Sequence, residues 1–161
     1  TDHVRRADTD NPKGYYEFEP VKHTKEDPSW LEQAQGKAVK MVSMLLYDLP
    51  KGYDYHVIFM RRDLTEILAS QKAMLIRSGK DPAQGPSDEA MRAHFEEHLV
   101  EVSKWIEAQP RIQVLEISYN AVLGDTAAQV AALRRFVGEA LDADAMKQVV
   151  TPALYRQRTT P

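Results

Sequence analysis

Apolar residues recur at helical spacing in three stretches of the chain. Leu64, Ile67, Leu68 and Leu75 form one stripe with Gln71 in line, and Met91, Phe95, Leu99, Val102 and Ile106 form a second. Val130, Leu133, Phe136 and Val137 point inward from a third helix expected over about 126–141. A repeat near 3.6 puts such positions on one face, which is buried when the helix packs. Asp63 and Glu66 precede and open the first stripe as an N-cap and N3 pair, resembling a capping box. Three other segments, 38–42, 55–60 and 112–118, read as strands. The second, Tyr-His-Val-Ile-Phe-Met, is β-branched, aromatic and almost continuously apolar, as a strand covered on both faces should be. A short helix is expected over 28–35, stopped by Gly36. Strands alternating with helices predict an α/β fold, a parallel sheet layered with helices and joined by right-handed crossovers.

Length and composition narrow this picture. The 161 residues are 43% hydrophobic and 28% charged, which fits a single domain over 1–161 with its own core and excludes a disordered or disulfide-built chain. Charge is nearly balanced, 21 Lys and Arg against 24 Asp and Glu for a net −3, so nucleic acid is not an expected partner. The chain has no cysteine, which removes thiolate chemistry and fits a cytoplasmic protein. No apolar run approaches the roughly 18 residues that span a bilayer.

Candidate chemistry gathers where the strand at 55–60 runs into Arg61-Arg62-Asp63 and the next helix. Ligands of open α/β sheets bind beyond the carboxyl ends of strands, and a guanidinium there matches phosphate oxygens. Ser70 follows Arg62 by eight residues, two helical turns on, where its hydroxyl could meet the same anion. The alternative is that Arg62 pairs with an acidic neighbour and Ser70 lies on the helix surface.

The segment Val57-Ile58-Phe59-Met60-Arg61-Arg62-Asp63-Leu64-Thr65-Glu66-Ile67-Leu68-Ala69-Ser70-Gln71 resembles the 3′-phosphate-binding segment of sulfotransferases that use the donor PAPS (3′-phosphoadenosine 5′-phosphosulfate). Further stretches resemble the bacterial branch of that family: Asn11-Pro12-Lys13-Gly14-Tyr15-Tyr16-Glu17, Gly36-Lys37-Ala38-Val39-Lys40, the strand ending Glu116-Ile117-Ser118-Tyr119 before a helix, and Leu154-Tyr155-Arg156-Gln157-Arg158. The resemblance implies a P-loop-NTPase-like sulfotransferase fold in which Arg62 and Ser70 grip the donor's 3′-phosphate. It also implies transfer of a sulfuryl group to a hydroxyl or amine of a small-molecule or glycan acceptor, with PAP as the product. The family uses a Glu or a His as general base, and the candidates are Glu17, then Glu19 and His23. Tyr15, Tyr16 and Phe18 around Glu17 suggest an apolar setting that would suit a base.

The family's opening strand and Gly-rich phosphosulfate loop have no counterpart in Thr1-Asp2-His3-Val4-Arg5-Arg6. The expectation is therefore an N-terminally incomplete sulfotransferase domain that binds PAP or PAPS weakly and is weak or inactive in transfer. An open sheet edge would then favour self-association. Other readings remain: a non-catalytic binding or assembly module, or a P-loop kinase relative. A zinc hydrolase is a further one, since His94-Phe95-Glu96-Glu97-His98 puts two His and a Glu at H-x-x-E-H spacing.

Overall fold

The computed structural model describes residues 6–9 and 11–156, so Gln157 and Arg158 of the C-terminal stretch and most of the first six residues lie outside the described residues. The chain divides into two compact units, Thr1–Tyr53 and Asp54–Pro161.

The first unit is built from short pieces. A 3-10 turn at Glu19–His23 leads to helix α1, Trp30–Ala34, and a second 3-10 turn covers Ser43–Asp48. Its buried residues are Val21, Thr24, Trp30, Leu31 and Leu46. The Trp30 indole N–H donates to the Thr24 hydroxyl at 3.2 Å, which itself donates to the Val21 carbonyl at 2.6 Å. Every polar atom of that chain is satisfied, as a buried tryptophan requires. Gly36 takes the left-handed conformation, φ +70°, just beyond α1, as expected of a helix stop. The strand expected over 38–42 does not form. Those residues are irregular and have no ladder partner, and β-branched composition alone does not make a strand.

The second unit has a β–α–α–β core. Strands β1 (Tyr55–Arg61) and β2 (Ile112–Ser118) pair in parallel, from Tyr55 opposite Ile112 to Arg61 opposite Ser118. Between them come α2 (Leu64–Arg77) and α3 (Asp88–Glu107), as the two apolar stripes predict. After β2 follow α4 (Tyr119–Gly124), α5 (Thr126–Val137) and α6 (Ala143–Gln148). Helix α5 ends four residues short of the expected 141, because Gly138 adopts φ +134° and breaks the ladder. Helix α2 packs on α3, and α3 and α5 both pack on β2. Phe59, Leu68, Val102, Ile106, Ile117 and Val130 are buried. Asp54 and Arg111, each just before a strand, pair through two hydrogen bonds of 2.9 Å.

An α/β fold with a parallel sheet is therefore present, but the sheet has two strands among the described residues. Burial along β1 alternates, in contrast to the two-sided covering its composition suggests: Phe59 is 9% exposed, whereas Ile58 and Met60 remain 38% and 53% exposed. The helices that follow and precede β2 pack on that strand, and the apolar side chains of Ile58 and Met60 on β1 are left exposed.

Candidate functional site

The parallel register brings the carboxyl ends of β1 and β2 side by side, so the residues leaving each strand become neighbours. Arg62 leaves β1, and Tyr119 and Asn120 leave β2 as the first turn of α4. Asp63 caps α2, its carboxylate accepting from the backbone N–H groups of Thr65 (2.7 Å) and Glu66 (3.2 Å). Hydrogen bonding from the Thr65 side chain first, then from the Glu66 and Thr65 N–H groups, holds the Asp63 carboxyl below the usual carboxylate range. The expected N-cap is thus formed. Glu66 does not reach back to complete a capping box and instead turns inward, with its side chain fully buried.

Arg62 donates through Nε to Glu66 Oε2 at 3.0 Å. Glu66 Oε1 accepts from Asn120 Nδ2 at 3.3 Å and from the Tyr155 hydroxyl, which in turn accepts from Asn120 Nδ2 at 2.9 Å. The Arg62 guanidinium carbon lies 4.8 Å from the Tyr119 ring centroid and 5.9 Å from that of Tyr155, and the two rings meet edge to face at 5.7 Å. Such stacking suits a planar, weakly hydrated cation. The Tyr155 phenol is pushed above its ordinary range, first by donating to Glu66, then by burial and by the Glu66 charge.

Ser70 lies one turn beyond Glu66 on α2 and is half-buried, whereas Arg62 precedes the helix, across the extended backbone of its N-cap Asp63. Arg62 therefore has the acidic partner that the alternative reading anticipates, yet its side chain keeps 25% of its surface exposed. It also borders a groove of about 570 Å³ between the β1–α2 corner and α3, where Arg61, Leu64, Ser103 and Lys104 are further lining residues. Glu96 and Glu107 line it too, so the groove is of mixed charge. Arg61 pairs with Glu116 across the strands at 3.8 Å.

The two candidate bases belong to the first unit. Glu17 lies 3.7 Å from both the Lys22 and the Lys40 ammonium groups, so its setting is ionic and not the apolar one that its aromatic neighbours suggest. Tyr16 is exposed, and the Phe18 ring turns to Trp30 at 5.9 Å. Glu19 pairs with Lys22 at 2.7 Å, and His23 is exposed. Lys37 caps the end of α1 by donating to the Gln33 carbonyl at 2.7 Å. On α3, His94 and Glu97 are exposed and His98 half-buried, and among the described residues no group of three His, Cys, Asp or Glu is placed to hold a metal.

Sequence reasoning singled out Arg62 and Ser70 but did not connect Glu66, Asn120 and Tyr155 to them. Those partners are 54 and 89 residues from Glu66 along the chain, and no periodicity links them. The usable signal was the parallel pairing itself, which makes the residue after one strand a neighbour of the residue after the other. A scan against protein-family models finds no match, and searches of curated proteins and of solved structures find none either.

Proposed function

We propose that the second unit binds the donor nucleotide of a sulfotransferase-like reaction, with Arg62 and Ser70 holding the 3′-phosphate of PAPS or PAP. The observation that carries this reading is a partly exposed arginine at the carboxyl end of a parallel strand, with a half-buried serine in the second turn of the following helix. The resemblance of residues 57–71 to the family's phosphate-binding segment supports it, as does the meeting of two further resembling stretches, those of Tyr119 and Tyr155, at Arg62. The fold proposed is the P-loop-NTPase-like one of that family. In the reaction, the sulfuryl group would leave the phosphosulfate oxygen for an acceptor oxygen or nitrogen, the acceptor proton passing to a base and PAP departing. Glu17, with His23 as the alternative, is proposed for that base. Positive donors around the transferred group are what such chemistry needs.

The pairing of Glu17 with Lys22 and Lys40 supports a second reading, in which the chain binds the nucleotide without transferring from it. Titration with PAP and with 5′-AMP, which lacks the 3′-phosphate, tests the site directly. PAP is expected to bind more weakly than micromolar yet about tenfold tighter than 5′-AMP, and Arg62→Ala and Ser70→Ala are expected to erase that preference. Equal binding of the two nucleotides by the unaltered chain would reject the 3′-phosphate site.

A further inference from the structure

The Arg62 network contains a feature that a bare phosphate site does not need: a fully buried carboxylate against the same guanidinium. A buried charge is tolerated where every lone pair has a donor, and stranding one is costly. Donors reach both oxygens of Glu66, but unevenly. One oxygen faces Arg62, and the other is held by two neutral donors, Asn120 and Tyr155. The carboxylate thus keeps partners of its own when the arginine's charge is drawn toward something outside.

We propose that Glu66 is a positioning residue that sets how strongly Arg62 holds an anion, with the Asn120 amide and the Tyr155 hydroxyl acting on Arg62 through it. This rests on the reading of Arg62 as a phosphate ligand and names how that site is regulated. The Glu66 charge orients the guanidinium through Nε and offsets part of its attraction for phosphate. The two neutral donors in turn satisfy the carboxylate and loosen its hold on the arginine. The site is therefore tuned for release: a product nucleotide leaves an arginine that has an internal counter-charge waiting.

The two halves of this arrangement act in opposite directions, which separates it from simple structural support. Glu66→Gln keeps shape and hydrogen-bonding atoms and removes the counter-charge, so PAP is expected to bind about fivefold tighter. Tyr155→Phe keeps the ring beneath Arg62 and removes one neutral donor, so Glu66 draws harder on Arg62 and PAP binds about threefold more weakly. Binding of 5′-AMP should not change in either variant. Asn120→Ala removes the other neutral donor and should follow Tyr155→Phe, so two independent variants remain if Glu66→Gln fails to fold. If the unaltered chain prefers PAP but Glu66→Gln weakens or leaves its binding unchanged, the tuning role is overturned while the phosphate site stands. The same follows if both donor variants leave PAP binding unchanged. If neither the chain nor any variant prefers PAP to 5′-AMP, the phosphate site falls and the tuning role with it.

Discussion

At the scale of single residues, the neutral partners of Glu66 are supplied by chemistry and not by proximity in sequence. Tyr155 shows how. Ionising its phenol would set a second negative charge against a carboxylate that already depends on it as a donor, so the proton is held. Since the folded phenol titrates above its ordinary range, the contact contributes stability below that range and loses it as pH rises through the folded value. An absorbance titration of the phenolates should therefore show one of the 7 tyrosines ionising late. Tyr155→Phe should remove that late step, and Glu66→Gln should move it back toward the others. Seven tyrosines titrating together in the unaltered chain would contradict the contact.

At the scale of elements, helix starts are written plainly in the sequence because a cap needs only one side chain and the next few N–H groups. Asp63, Ser87, Asp125 and Asp142 each accept from the first turn of α2, α3, α5 and α6. The Asp63 and Asp142 carboxyls both lie below the usual range, Asp142 through the Ala145 and Asp144 N–H groups. Their contribution is present above the ordinary carboxylate range and is lost as pH falls from there through the lowered folded values. Asp63→Ala should cost about 1 kcal/mol in thermal or urea unfolding at neutral pH. Asp63→Asn should keep most of the cap and flatten the decline of stability between neutral and acid pH, and an unchanged acid decline would show that Asp63 is not among the groups responsible. The stripes of α2 and α3 and the strand at 112–118 were equally legible. The segment 38–42 was not, because a strand exists only through the partner it pairs with, and composition carries no information about that partner. Glu66 departs from its expected role for a related reason: its N3 position suits a capping box, but the Arg62 guanidinium and the Tyr155 hydroxyl offer its carboxylate stronger partners than the helix end does.

At the scale of the molecule, the second unit leaves apolar surface where a parallel sheet is ordinarily covered. Ile58 and Met60 on β1 and Val114 on β2 are 38%, 53% and 41% exposed, and each strand has one edge without a partner strand among the described residues. Unpaired edges with apolar flanks invite pairing with a second copy of the chain. Light scattering across a concentration series should show association that grows with concentration, and Met60→Lys should reduce it with little change in melting temperature, since that side chain is already half in water. A monomer at every concentration would remove this expectation. No helix among the described residues is long and apolar enough to cross a membrane.

What the sequence determined unaided are the features set within a turn or two of the chain: the apolar stripes, the Asp63 cap, the helix stop at Gly36, and the Arg62–Ser70 spacing. Each depends on local geometry that a repeat of 3.6 or a single glycine already specifies. Tertiary structure alone decided that β1 and β2 pair in register, that Glu66 is buried, and that Asn120 and Tyr155 complete its hydrogen bonds. Those contacts join residues far apart in the chain, and they form because a buried carboxylate must find donors wherever the fold brings them.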